Sequence, residues 1–156
     1  MTDAVAQLLP LFPAVPLIAA AFALLAPWRA VRDSIMLIIP GMGIFAGLGL
    51  LMYTMNNGVV AHTVGLYQGN VGIPFAADAF SALMIITTMI VAFGANWFAI
   101  AGGETKSRFY PSLTLILITG VCGALLTADL FNFFVFIEVM LLPSYGLITM
   151  SGTWSR

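Results

Sequence analysis

Apolar runs long enough to cross a bilayer recur five times in this chain, and they constrain its fold more than any other feature. A helix needs roughly 20 mostly apolar residues to span the ~30 Å hydrocarbon core. Residues 8–26, 34–55, 79–100, 109–128 and 130–150 each meet that requirement. Only 7% of the 156 residues are charged, against about 25% in soluble domains, so the chain lacks the polar surface a soluble fold requires. The expected architecture is an all-α membrane protein, a single bundle of five transmembrane helices in a lipid bilayer.

The links between the runs are short and carry the charges. Arg29 and Arg32 lie between the first two runs, and Lys106 and Arg108 lie between the third and fourth. Alternating the sides puts these four and Arg156 on one face of the membrane and no basic residue on the other. The positive-inside rule then predicts an N-terminus outside and a C-terminus in the cytoplasm. Asp3 is the only charged side chain before the first run, whereas a cleaved signal wants a positive segment there, so residues 8–26 are expected to stay in the mature protein. The longest link, 56–78, opens with Asn56, Asn57 and Gly58, and Gly65, Gly69 and Gly72 punctuate short apolar runs. That pattern predicts a small outer hairpin.

Local chemistry marks helix ends and contacts. Asp78 and Asp129 stand where N-caps of the third and fifth helices belong. Gly43 and Gly47 make a small-xxx-small pair that suits a close helix–helix contact. Cys122, the single cysteine, excludes an internal disulfide and a cysteine-based zinc site, and its apolar neighbours predict a buried, inert thiol. His62, alone in the outer link, reads as solvated. No basic patch of the kind nucleic acid needs is present, and no phosphate loop, nucleophile triad, haem or metal motif appears. No cofactor or metal is therefore expected.

Glu138 is the one charged residue inside the five runs. It lies eight residues past Leu130, roughly 12 Å into the fifth span at 1.5 Å per residue. An acidic group at mid-membrane costs about 2.5–3.5 kcal/mol on insertion scales, so it should face protein or water. A carboxyl taken out of bulk water loses part of its preference for the charged form, and it can then accept and release a proton, as a relay must. A structural partner for a buried cation, or a permanently neutral hydrogen-bonded acid, are the plainer alternatives. Pro143 cannot donate to the carbonyl of Val139, and a free acceptor there favours a hydrated pocket beside Glu138. A simple kink is the plainer reading of that proline.

The run Ala128-Asp129-Leu130-Phe131-Asn132-Phe133-Phe134-Val135-Phe136-Ile137-Glu138, continuing through Pro143 to Ile148, resembles the antiporter-like subunits shared by respiratory complex I and the multisubunit Mrp cation/proton antiporters. It is most similar to the D-type subunit of the latter. The run from Gly72 to Phe93 is similar to the start of that family's third helix. The resemblance implies that Glu138 matches a glutamate essential for proton movement. That glutamate pairs with a lysine on a seventh helix, which this chain does not contain. It also implies assembly with other subunits in a bacterial plasma membrane, with H⁺ and Na⁺ as transported ions. The likeness covers essentially all of this sequence but only the opening part of the family pattern.

Three functions stay open from sequence. The first is a proton-translocating subunit of a sodium/proton antiporter, or a part of one, which is a transporter and not an enzyme. The second is a proton-pumping subunit of a complex I-type quinone oxidoreductase or a membrane hydrogenase. The third is an assembly scaffold that transports nothing.

Overall fold

The structure, a computed structural model, describes residues 3–65 and 72–151. Six α-helices, one 3₁₀ turn and one β-hairpin follow in the order α1 (Asp3–Leu8), α2 (Leu11–Leu25), α3 (Arg29–Asn57), β1 (Val60–Val64), β2 (Ile73–Ala77), α4 (Ala79–Gly102), the 3₁₀ turn (Glu104–Lys106), α5 (Tyr110–Leu126) and α6 (Leu130–Ser151). Four segments are long and apolar enough to cross a membrane: Ala4–Leu25, Arg29–Asn57, Ala79–Gly102 and Leu130–Met150. Helix α5 is apolar but shorter.

Prolines set the details of the first segment. Pro10 separates α1 from α2. Pro13 has no N–H for the Leu9 carbonyl, and the Phe12 N–H donates to it instead at 3.2 Å, a tighter 3₁₀-type closure. Helix α3 begins at Arg29, before its apolar run, and that first turn is tied by Arg29 to Thr105 and Asp33. Its internal Pro40 is fully buried. That ring removes the donor to the Met36 carbonyl, and the Asn96 side-chain amide of α4 donates to it at 3.0 Å. Asn96 is 1% exposed. A buried polar side chain of one helix thus completes the broken ladder of its neighbour.

Glycines join these two helices. A Cβ on Gly43 would lie 2.6 Å from the Met89 sulfur, and one on Gly47 2.8 Å from Ile86 Cγ1. Helix association in lipid relies on close van der Waals fit because no hydrophobic force favours protein over lipid tails. Small residues on α3 permit that fit.

Helix α5 is central. It packs on α2 and α6 and also touches α3 and α4. Ala19, Ala20 and Ala23 of α2 and Leu115, Ile118 and Cys122 of α5 lie in the core, and the Ser112 hydroxyl donates to the Ala20 carbonyl at 2.9 Å. At 1.5 Å per residue its 17 residues span about 26 Å, less than the ~30 Å core. It stops where Thr127 turns extended and bridges to Phe75 of the hairpin. Protein on most sides spares so short a helix full contact with lipid.

The hairpin pairs β1 and β2 antiparallel, with Val60 opposite Ala77, His62 opposite Phe75 and Val64 opposite Ile73. The Ala128 N–H donates to the Pro74 carbonyl at 2.9 Å, so the hairpin is tied to the α5–α6 turn. The opposite end of the bundle is held by charges. Arg29 donates to the buried Thr105 hydroxyl at 2.9 Å and pairs with Asp33 at 3.4 Å, and Arg108 donates to the Leu24 carbonyl at 3.0 Å. The α2–α3 and α4–α5 links therefore meet at one end. Gly69 and Arg156 lie outside the described residues.

Candidate functional site

Helix α6 positions Glu138. Its first turn is fixed by Asp129, whose carboxylate accepts the Asn132 N–H at 3.1 Å while the Asp129 N–H bonds the Thr127 hydroxyl at 3.3 Å. The start of α4 is capped in the same way, with Asp78 accepting the Ser81 N–H at 2.7 Å. That amide favours the charged carboxylate and holds Asp78 below the usual carboxylate range.

One face of α6 lies against α5. Gly120 meets Met140 and the backbone of α6, and Gly123 meets the Phe136 ring, so closely that neither glycine has room for a Cβ. Pro143 is buried, and Gly146 faces Leu113. Phe136 also contacts Phe75 of the hairpin, with ring centroids 6.5 Å apart. At about 100° per residue, Glu138 points about 200° from Phe136 and about 160° from Met140. It lies opposite the α5 seam and is exposed on the described surface.

The exposed stripe through Glu138 has the i, i+3, i+4 spacing of a helix face. Phe131 and Phe134 precede Glu138, and Leu142, Tyr145 and Thr149 follow it, all exposed. Among the described residues the single ion pair is Arg29–Asp33 at the far end of α3, and Glu138 has no partner. Pro143 leaves the Val139 carbonyl without its usual amide, and no described side chain donates to it. Asp129, Cys122, His62 and Glu138 are not brought together. Cys122 is buried between helices, and His62 sits half-buried in the hairpin. Sequence reading did not single out Tyr145 and Thr149. Their spacing of seven and eleven residues from Glu138 was the available signal.

No family model matches the chain. Among curated proteins it is 38% identical over 149 residues to the D-type subunit of the Na(+)/H(+) antiporter of Alkalihalophilus pseudofirmus, covering 89% of this chain and 29% of that protein. It is 39% identical over 108 residues to the corresponding Na(+)/H(+) antiporter subunit of Bacillus subtilis, covering 67% and 22%. A chain of the solved Mrp complex from Dietzia sp. DQ12-45-1b superposes with a TM-score of 0.88 at 43% identity, over 93% of this chain and 27% of that one. A chain of the membrane-bound sulfane sulfur reductase, an archaeal respiratory membrane complex, shares the fold with a TM-score of 0.78 at 23% identity, over 96% and 31%. The chain thus spans 29% or less of the length of these two curated relatives. The apolar helices and these matches make it a multi-pass bacterial membrane protein. By the same matches, the chain belongs to the family of D-type subunits of Mrp cation/proton antiporters, and corresponds to part of the length of its members.

Proposed function

We propose that this chain forms the part of a sodium/proton antiporter subunit that relays protons through an intramembrane carboxylate, Glu138. The observation that carries the proposal is the placement of Glu138: about 12 Å along α6 from Leu130, opposite the α5 seam, exposed and without a partner in the described structure. Bare lipid is a poor neighbour for it, at about 2.5–3.5 kcal/mol near the bilayer centre. Further protein therefore covers this face and supplies a cation, a lysine on a helix outside this chain. Such a pair can hold a proton on either partner and pass it on. Other subunits of a membrane complex, H⁺ and Na⁺ are the expected partners.

The gathering of Arg29, Arg32, Lys106 and Arg108 at one end supports an outside N-terminus and a cytoplasmic C-terminus. Five crossings form a single bundle whose outer link is the 56–78 hairpin. A reporter fused after Ser151 should be active only in the cytoplasm, and activity outside would reverse the topology. The relay itself is tested by comparing Glu138→Gln with Glu138→Asp in the assembled complex. The Gln variant should lose sodium-dependent proton exchange in vesicles and the Asp variant should keep part of it. Near-normal exchange with Gln in an assembled complex would sink the relay. The scaffold alternative predicts that outcome.

A further inference from the structure

Glu138 divides its own face of α6 into two unlike halves. Toward Leu130 the face presents Phe134 and Phe131, 66% and 74% exposed, and neither has a polar atom. Toward Ser151 it presents Leu142, Tyr145 and Thr149, two of which carry hydroxyls. The Thr149 hydroxyl already donates to the Gly146 carbonyl at 2.9 Å, and its oxygen can still accept. Tyr145 is 62% exposed and lies seven residues from Glu138, about 10 Å along the axis and about 20° off its direction. Helical side chains lean toward the N-terminus and cover the preceding turn. The Tyr145 ring therefore leans over Leu141 and Leu142, toward Glu138, while the Phe134 ring leans away from it.

We infer that water reaches Glu138 along the Tyr145–Thr149 half of this face, with the two hydroxyls lining the approach, and that Phe131 and Phe134 close the other half. The inference rests on the reading of Glu138 as a proton relay and adds the side from which it is supplied. A hydroxyl both donates and accepts, so it can hold a water chain and hand a proton along it. A phenyl ring does neither and excludes water. Once further protein covers α6, the hydroxylated half becomes a narrow wet cleft and the aromatic half a dry seal. The plainer role for Tyr145 is an interfacial anchor, as aromatic residues are common near membrane surfaces.

Leu142 and Phe134 flank Glu138 at four residues on either side, so they make a matched pair. Leu142→Cys and Phe134→Cys are placed in turn in the assembled complex and treated with a charged, membrane-impermeant thiol reagent on both sides of the membrane. Thiol reagents attack the thiolate, which needs water, so Cys at 142 should react about ten-fold faster or more than Cys at 134. Cys122, 0% exposed, sets the background. Equal rates, or faster labelling at 134, would overturn the inference. If either variant fails to assemble, Leu141→Cys and Val135→Cys, three residues on either side, repeat the comparison. Labelling needs no transport, so it separates this inference from the relay itself, which Glu138→Gln tests. Tyr145→Phe should lower proton-linked exchange about three-fold or more with the apparent cation affinity unchanged, as for loss of a proton-transfer group. Tyr145→Trp, which keeps an interfacial aromatic, should fall equally. Full activity in either variant would overturn the hydroxyl's part.

Discussion

Pro40 in α3 and Pro143 in α6 remove the same backbone donor, yet their surroundings complete the two helices differently. At Pro40 the orphaned Met36 carbonyl receives the Asn96 amide from inside the chain, and glycines press α3 and α4 together beyond the break. At Pro143 no described side chain donates to the Val139 carbonyl, and the opposite face of the same helix carries an unpartnered Glu138. One break is closed by the fold. The other is left open in the described structure. The difference teaches that a proline in a membrane helix is read by its donors: at Pro40 the chain supplies a compensating amide, and at Pro143 the described chain supplies none.

Substitutions that break this comparison rank by how much room the structure leaves. Gly120→Val should have the largest effect. The added carbons would meet the α6 backbone at the Phe136 carbonyl, 2.9 Å away, and the Met140 amide, 3.0 Å away, and backbone cannot move aside as a side chain can. Overpacking typically costs about 1–3 kcal/mol, and a backbone clash lies at the upper end or beyond. The assembled complex should be nearly absent from membranes, and normal accumulation would show that the α5–α6 seam is looser than this packing requires. Gly43→Ala presses first on the flexible Met89 side chain and should assemble with a modest loss of thermal stability.

Asn96→Leu should cost about 1–3 kcal/mol, since it strips the buried Met36 carbonyl of its partner. Adding Pro40→Ala restores a backbone N–H and should recover much of that loss in a thermal melt of the complex. If Pro40→Ala recovers nothing, the Asn96 bond does not compensate the proline. The smallest effect belongs to Asp78→Ala, about 1 kcal/mol for a lost N-cap. The folded-state carboxyl of Asp78 is held below its ordinary value, so its contribution is present above the unfolded pKa and is lost as pH falls through the folded one. The protection of the Ser81 amide, taken relative to its intrinsic exchange rate at each pH, should therefore be high at neutral pH and fall once the pH drops below the usual carboxylate range. Protection that does not change there would remove Asp78 from the cap.

Much of this was legible in the sequence because it is local. The apolar runs correspond to the helices, since the lack of water forces backbone groups to bond within each segment. Asp78 and Asp129 could be read as caps because a cap acts within three residues. Glu138 stood out as the one charge in an apolar run. The Asn96–Met36 bond could not be read, because its partners are 60 residues apart and a lone Asn in an apolar run has several possible orientations. The tight seam at Gly120 and Gly123 has a three-residue spacing that no small-xxx-small pattern marks, whereas Gly43 and Gly47 carry that pattern. The early end of α5 depends on the hairpin strand that bridges Thr127, which no local pattern reveals. The face shared by Glu138, Tyr145 and Thr149 was available from helical spacing, but its meaning needed α5 in place to show which side was left open.

The central claim is that Glu138 carries protons and that its face of α6 is a working surface. Sodium-driven proton exchange per assembled complex, measured in vesicles carrying Glu138→Gln, tests it most directly. The account predicts exchange indistinguishable from vesicles without the complex, while the amount of assembled complex stays at the parent level. Exchange near the parent rate, in a complex assembled to the parent level, would contradict it.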